Sequence, residues 1–163
     1  MSRIRCARIC GAQPFSDPAV TMLLITQQQI ESLDAVIGER FQLRMLRLVT
    51  AHFPVEVAAL GPATADAAPD LHLVEQLLRR AEAMDITANA DLAAFAVLMM
   101  SARQLTTDAP ALLAWIRSIL LLEDLSGRGK MFLMREGLDE RAPLDRHAAT
   151  LCTLIDVFAE SMW

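Results

Sequence analysis

Cysteine is scarce in this chain. The three cysteines, Cys6, Cys10 and Cys152, are too few, and odd in number, to build a disulfide framework. Free thiols are typical of proteins that live in a reducing compartment. We therefore expect a cytoplasmic protein whose fold does not depend on cross-links.

Long uninterrupted apolar runs are also missing. The arginine-containing N-terminus is not followed by the apolar run of roughly seven or more residues that a secretory signal needs. The two most apolar stretches are 92–102, which stops at Arg103, and 109–122, which contains Arg117. Both are shorter than the about 20 residues that span a bilayer. The sequence thus predicts no membrane insertion.

Positive charge is in short supply. The formal net charge is -5 at pH 7 and the sequence pI is about 5.1. Only Lys130 is a lysine among the 15 basic residues. Because a nucleic-acid surface needs a basic footprint to neutralise phosphates, this balance argues against nucleic acid as the main partner.

Apolar residues, by contrast, are abundant. They make up 54% of the 163 residues, with a mean hydropathy of +0.34, which suits one domain with a sizeable core. Residues 1–25 differ, since Gly11, Pro14 and Pro18 interrupt any periodicity. We expect a flexible N-terminal extension over 1–25 and a single helical domain over 26–163.

The first helix is predicted to start at Thr26. Thr26 and Gln29 fit a capping box, Pro54 marks a kink or a break, and Gly61 with Pro62 marks a stop. Between these points, apolar and aromatic residues recur at steps of three or four, which places them on one face. They are Ile30, Leu33, Ile37, Phe41, Met45, Leu48 and His52.

Two further helices are predicted in the middle of the chain. One covers 69–84, and the next begins near Thr87, a plausible N-cap. Around 92–102 this second helix is apolar on every face, a pattern that places a helix in the middle of a bundle.

The last third of the chain predicts three helices. Asp108 with Pro110 is a helix-start signal, in which the aspartate caps the helix that follows. A short helix over 130–135 is expected to end at Gly137. The last helix, after Pro143, has an apolar face made of Leu144, Ala148, Leu151, Ile155, Phe158 and Met162. With no period-two segment between hairpin turns, the prediction is an all-α protein, an irregular bundle of five or six helices.

Motifs for metals and phosphates are incomplete. Cys6 and Cys10 could supply two zinc ligands, but a structural site needs four. Gly129-Lys130 resembles the end of a phosphate-binding loop, yet Asp124 stands where that motif has its first glycine and Met131 where it has Ser or Thr. We predict no cofactor-binding and no metal-binding residues.

Catalytic constellations are equally hard to find. The histidines His52, His72 and His147 lie on separate helices without metalloprotease spacing, and no serine stands in a G-x-S-x-G elbow. His52 is interpreted as a partly buried residue of its helix face and His147 as a solvated surface residue. No catalytic residue is assigned and the protein is predicted not to be an enzyme. A pocket that held His52 or His147 against a carboxylate would favour an enzyme instead.

Several short segments carry a family resemblance. They are Ile25–Ile30, His52-Phe53-Pro54, Met84–Thr87, Ala114-Trp115-Ile116 and Lys130–Leu133. Together they resemble small, uncharacterised all-helical bacterial proteins that are often encoded beside type VI secretion effector and spike genes. The chain departs from that pattern at Met84-Asp85, where the family has an aromatic residue followed by glycine. The resemblance implies an accessory of a secreted toxin and supplies no catalytic residues.

The leading prediction is therefore a non-enzymatic protein-binding accessory, an adaptor or chaperone of a type VI secretion effector. Its partner would be the effector or a spike component, and an apolar groove would receive a helix of that client. One alternative is an immunity protein that presents an acidic patch to a toxin. The others are an enzyme with an unrecognised site and a homo-oligomer whose seam is the face of residues 144–162, unless the first helix covers that face within one chain.

Overall fold

The computed structural model describes residues 26–60 and 71–162, which form seven α-helices and contain no strand. The helices are α1 (Gln27–His52), α2 (Pro54–Leu60), α3 (Leu71–Glu82), α4 (Asn89–Asp108), α5 (Pro110–Leu120), α6 (Gly127–Arg141) and α7 (Arg146–Ser161). The all-α prediction is confirmed. The expected number of five or six helices is not matched, because α1 breaks at Phe53 and Pro54 opens a separate helix. The predicted extension over 1–25 lies outside the described residues.

Helix α4 is the centre of the bundle. Its residues 93–98 are all buried, and α1, α3, α5, α6 and α7 all pack against it. This arrangement confirms the prediction drawn from its all-round apolar surface. Although α4 is 20 residues long, neither it nor any other described helix is long and apolar enough to cross a membrane.

Helix α1 joins the core only through its second half. Phe41, Met45 and Val49 are buried at steps of four, and Phe53 continues the same line just beyond the helix. Ile37, which was predicted on the buried face, is 51% exposed. The apolar spacing is helical throughout, but residues 35–40 are all exposed, so no described element covers this part of the helix.

The turn between α3 and α4 is a Schellman motif. The amide of Ile86 donates to the carbonyl of Ala81 at 2.9 Å, the amide of Asp85 donates to that of Glu82 at 2.9 Å, and Ile86 is buried. Asp85 occupies the left-handed position of this motif, with φ of 62°. The predicted cap at Thr87 is one residue off, since Ala88 is the N-cap of α4 and makes no side-chain capping bond.

Helices α5 and α6 form a closely packed hairpin. A Cβ on Gly137 would lie 2.4 Å from the Trp115 ring, and the Arg141 guanidinium lies 4.0 Å from the centre of that ring. Gly137 is therefore an interior residue of α6, and the prediction that the helix ends there is wrong. Glycine is needed at this position because the indole occupies the space of a side chain.

The starts of α5 and α6 differ from each other. Asp108 is the last residue of α4 and not the cap of α5, whose N-cap is Ala109 without a side-chain bond. Ser126, by contrast, caps α6, because its hydroxyl accepts from the amide of Gly129 at 3.2 Å. This cap lets α6 begin at Gly127, before the predicted residue 130.

Helix α7 is covered inside the molecule. Ala148, Leu151, Ile155 and Phe158 are buried, chiefly against α4 and α6 rather than α1. Leu144, expected at the head of this face, is 94% exposed because it lies in the turn before the helix. From Ala148 to Met162 this face is thus already occupied by the chain's own helices and does not offer a seam to a second copy.

Candidate functional site

One cavity of the described region lies where three helix ends meet. It is bounded by the α1–α2 break, the C-terminal half of α4 and the N-terminal half of α7, and its volume is about 450 Å³. This size is in the range of small-molecule sites. The lining residues are His52, Phe53, Glu56, Ser101, Gln104, Leu105, Asp108, Arg146, His147, Thr150, Leu151 and Leu154. We call this cavity the three-helix pocket.

The helix break at Phe53 shapes one side of the pocket. Phe53 turns into the core, where its ring meets that of Phe158 at 6.1 Å between centroids. His52 remains exposed, with its ring tilted against the same Phe158 at 5.5 Å. The prediction that the His52 imidazole is partly buried is therefore wrong, since the residue is exposed at the wall of the pocket. Pro54 then directs α2 so that Glu56 reaches the same pocket.

The start of α7 forms the opposite side. Asp145 caps this helix, because its Oδ1 accepts from the amides of His147 at 2.8 Å and Ala148 at 3.4 Å. The cap orients the first turn and places Arg146 and His147 at the pocket. Nε of Arg146 donates to Nε2 of His147 at 3.3 Å, so Nε2 is the unprotonated nitrogen in this geometry. His147 is half-buried, not the fully solvated residue that was predicted.

The floor of the pocket is apolar except for one hydroxyl. Phe53, Leu105 and Leu151 are buried, and so is Ser101, which is 5% exposed. Thr150, another hydroxyl residue of the pocket, donates to the carbonyl of Arg146 at 2.8 Å. Among the described residues, Ser101 forms no such bond. The fully buried hydroxyl without a partner in the described residues is that of Thr50, so the Ser101 hydroxyl stays open to the pocket and can bond to a group bound there.

The charged residues of the pocket do not pair with one another. Glu56 and Asp108 supply carboxylates and Arg146 a guanidinium, but within the described ranges none of the three forms an ion pair. Neither His52 nor His147 lies within 4.0 Å of a carboxylate there. No group of three or more His, Cys, Asp or Glu residues in the described part of the chain could hold a metal ion. The pocket therefore contains titratable groups without a preformed catalytic pair.

A second, smaller cavity lies between α6 and α7. It has a volume of about 270 Å³ and contains Cys152 beside Arg135, Asp139 and Asp156. Burial raises the pKa of the Cys152 thiol to about 11, and the hydrogen bond to Asp139 and the charges of Asp139 and Asp156 act in the same direction. Since the thiolate is the nucleophile and the metal ligand, this cysteine is protonated and unreactive at neutral pH. Cys6 and Cys10 lie outside the described residues.

Large apolar side chains remain exposed at one end of the α5–α6 hairpin. Leu121, Leu122, Phe132 and Leu133 are all exposed, Phe132 by 61%. Trp115 of α5 faces Gly137 of α6. Leu121 lies six residues after Trp115, and Phe132 lies five residues before Gly137. Leu121 and Leu122 follow the last residue of α5, and Phe132 and Leu133 lie in the second turn of α6, so both pairs are near the connection between the two helices. We call this group the hairpin patch.

Sequence patterns did not reveal the pocket. His52 and His147 were predicted on different helices with no link between them, and only packing of α1 and α7 on α4 brings them to one cavity. His72 is elsewhere, where its ring nitrogen Nδ1 lies 3.8 Å from Glu75 of its own helix. Comparisons with protein-family models, with curated proteins and with solved structures found no match to this chain. The site is therefore interpreted from its own geometry.

Proposed function

We propose that this protein is a non-enzymatic accessory that binds a protein partner, an adaptor or chaperone of a type VI secretion effector. The observation that carries the proposal is the hairpin patch. Monomeric proteins rarely expose several large apolar side chains together, and such groups mark protein-binding surfaces. The resemblance of Met84–Thr87, Ala114-Trp115-Ile116 and Lys130–Leu133 supplies the type of partner.

The patch suits an apolar client segment for structural reasons. Trp115 packs closely on Gly137 beside it, and the Arg141 guanidinium lies over the same ring. Phe132 and Leu133 are neighbours on α6 and point about 100° apart around the helix, so each offers a separate apolar contact. Exposed apolar side chains of this kind suit contact with the apolar face of an amphipathic helix.

The test is co-expression of the tagged chain with the proteins encoded by the adjacent genes. Size-exclusion chromatography and mass spectrometry should show a stoichiometric complex with one of them. The variant Phe132→Glu should lower the amount of complex by about tenfold or more, because a buried aromatic anchor often dominates an interface. A toxicity-rescue assay then distinguishes a chaperone from an immunity protein.

Leu144→Glu provides a matched control. Leu144 is also an exposed apolar residue, but it lies in the turn between α6 and α7 and is not a member of the patch. This variant should leave the complex intact. If the chain elutes alone with every neighbour present, or if both variants weaken binding equally, the accessory proposal is wrong.

The three-helix pocket is the observation that favours an enzyme. It places His52 and His147 in one cavity with Glu56 and Asp108. General acid–base catalysis requires a histidine that a neighbouring group orients toward the reacting atom. Within the described residues, neither histidine has a carboxylate partner. For this reason the binding role is preferred.

A further inference from the structure

The three-helix pocket is separate from the hairpin patch. The pocket is built by α1, α2, α4 and α7, and none of its lining residues belongs to the patch on α5 and α6. A ligand of the pocket would therefore bind independently of the protein partner proposed above.

The pocket offers three kinds of contact to a ligand. Its floor has buried apolar side chains, those of Phe53, Leu105 and Leu151. Within that floor, the hydroxyl of Ser101 lacks a protein partner among the described residues. Charges of both signs stand around it without pairing, namely the carboxylates of Glu56 and Asp108 and the guanidinium of Arg146.

These contacts define the charge pattern of the ligand. A simple anion would be attracted by Arg146 but repelled by Glu56 and Asp108. A simple cation would be attracted by the two carboxylates but repelled by Arg146. A molecule that carries both charges is complementary to all three groups. The guanidinium of Arg146 uses Nε for His147, so its two terminal nitrogens can bind a carboxylate in a bidentate manner.

We propose that the three-helix pocket binds a small zwitterion of the amino-acid class with an apolar side chain. Its carboxylate binds Arg146, its ammonium group binds the carboxylates of Glu56 and Asp108, and its side chain lies on Phe53, Leu105 and Leu151. Ser101 gains a hydrogen-bond partner in the complex.

Isothermal titration calorimetry with the full chain tests this inference. The probes are L-valine, L-leucine, L-isoleucine, L-methionine and L-phenylalanine, each up to about 10 mM, which covers weak metabolite affinities. At least one should bind. The best probe is then compared with analogues that lack one charge; for leucine these are 4-methylpentanoate and 3-methylbutylamine. Each analogue should bind at least about tenfold more weakly, because it loses a charge-assisted contact.

Variants locate the binding to this pocket. Arg146→Gln should weaken binding by about tenfold or more, and Ser101→Ala should weaken it by a smaller factor. Arg117→Gln, which changes an exposed arginine of α5 outside the pocket, should have no effect. Circular dichroism confirms that each variant is folded.

The inference is overturned if none of the five amino acids binds, if a singly charged analogue binds as well as the zwitterion, or if Arg146→Gln and Arg117→Gln behave alike. None of these results bears on the accessory proposal, whose readout is the complex with a neighbouring gene product.

Discussion

At the scale of single residues, the glycines of the helices differ in how much space surrounds them. A Cβ on Gly127 would lie within 2.0 Å of the carbonyl oxygen of Asp85, in the turn that ends α3. At Gly137 the same atom would meet the Trp115 ring at 2.4 Å, whereas at Gly38 it would meet nothing within 4 Å. Packing thus requires glycine at positions 127 and 137 but not at position 38.

We predict that Gly→Ala substitutions separate these cases. Gly127→Ala and Gly137→Ala should each lower the free energy of unfolding by about 1–3 kcal/mol, because backbone or ring must move to admit the methyl group. Gly38→Ala should raise it by about 0.5–1 kcal/mol through helix propensity. Urea unfolding followed by circular dichroism measures all three. Equal effects at the three positions would contradict the packing assigned to Gly127 and Gly137.

Cys152 is a residue whose pKa predicts a pH dependence of stability. Its folded pKa of about 11 lies above the ordinary value of 9.0, so the native state holds the thiol proton more tightly than the unfolded state does. The stabilisation of the folded state that follows from this pKa difference is fully present below about pH 9 and is lost as the pH rises through about 11. The chain contains no tyrosine to titrate in the same range.

Urea unfolding between pH 8 and 11 checks this prediction. The wild-type protein should lose stability over that range, and Cys152→Ser should lose less because its hydroxyl does not titrate there. Iodoacetamide should also modify the native thiol slowly at pH 8, since little thiolate is present. Identical pH profiles for the two proteins would contradict the assigned pKa.

At the scale of elements, α1 divides into two parts with different surroundings. From residue 35 to residue 40 every side chain is exposed, including Val36 and Ile37, and buried positions begin at Phe41. Tertiary packing therefore does not cover the backbone hydrogen bonds of residues 35–40. An isolated stretch of this length is only marginally helical in water.

Hydrogen exchange should show this division. Amides of residues 35–40 should exchange about tenfold faster or more than those of residues 43–52, because this part of the helix can open without disturbing the core. The amides of residues 93–98 of α4 serve as the slow reference, since all of these residues are buried. Equal protection along α1 in the free protein would show that something else covers its first half.

At the scale of the whole molecule, one hydrophobic cluster joins the helices. Its buried members come from α1, α3, α4, α5, α6 and α7, and Val57 of α2 packs against it. Removal of α1, α3, α5, α6 or α7 would expose the α4 surface on that side. A single shared core of this kind favours all-or-none unfolding.

We predict coincident unfolding transitions for secondary and tertiary structure. In the variant Trp163→Phe, Trp115 is the remaining tryptophan and reports on the α5–α6 hairpin. Its fluorescence and the far-UV circular dichroism should give the same urea midpoint. Phe158→Ala should lower both together, with a loss of about 3–5 kcal/mol, because Phe158 is fully buried beside Phe53. Separate midpoints would contradict a single cooperative unit.

Local sequence patterns predicted the buried sides of the helices better than their ends. The spacing of Leu144, Ala148, Leu151, Ile155, Phe158 and Met162 predicted a buried face, and all of these residues except Leu144 are buried. The all-round apolar surface of α4 predicted its central place in the bundle. Periodicity succeeds here because the side of a helix on which a residue lies depends only on its neighbours within the same helix.

Tertiary structure decided the features that depend on two elements at once. Local rules predict that a helix ends at Gly137, but this glycine lies inside α6. The Trp115 ring of α5 occupies the space that a side chain at this position would need. Ile37 has core spacing but no helix to cover it. His52 and His147 meet in one pocket because α1 and α7 both pack on α4. The sequence of a helix determines which of its residues share an apolar face. Which of these faces pack together depends on contacts between residues that are far apart in the chain.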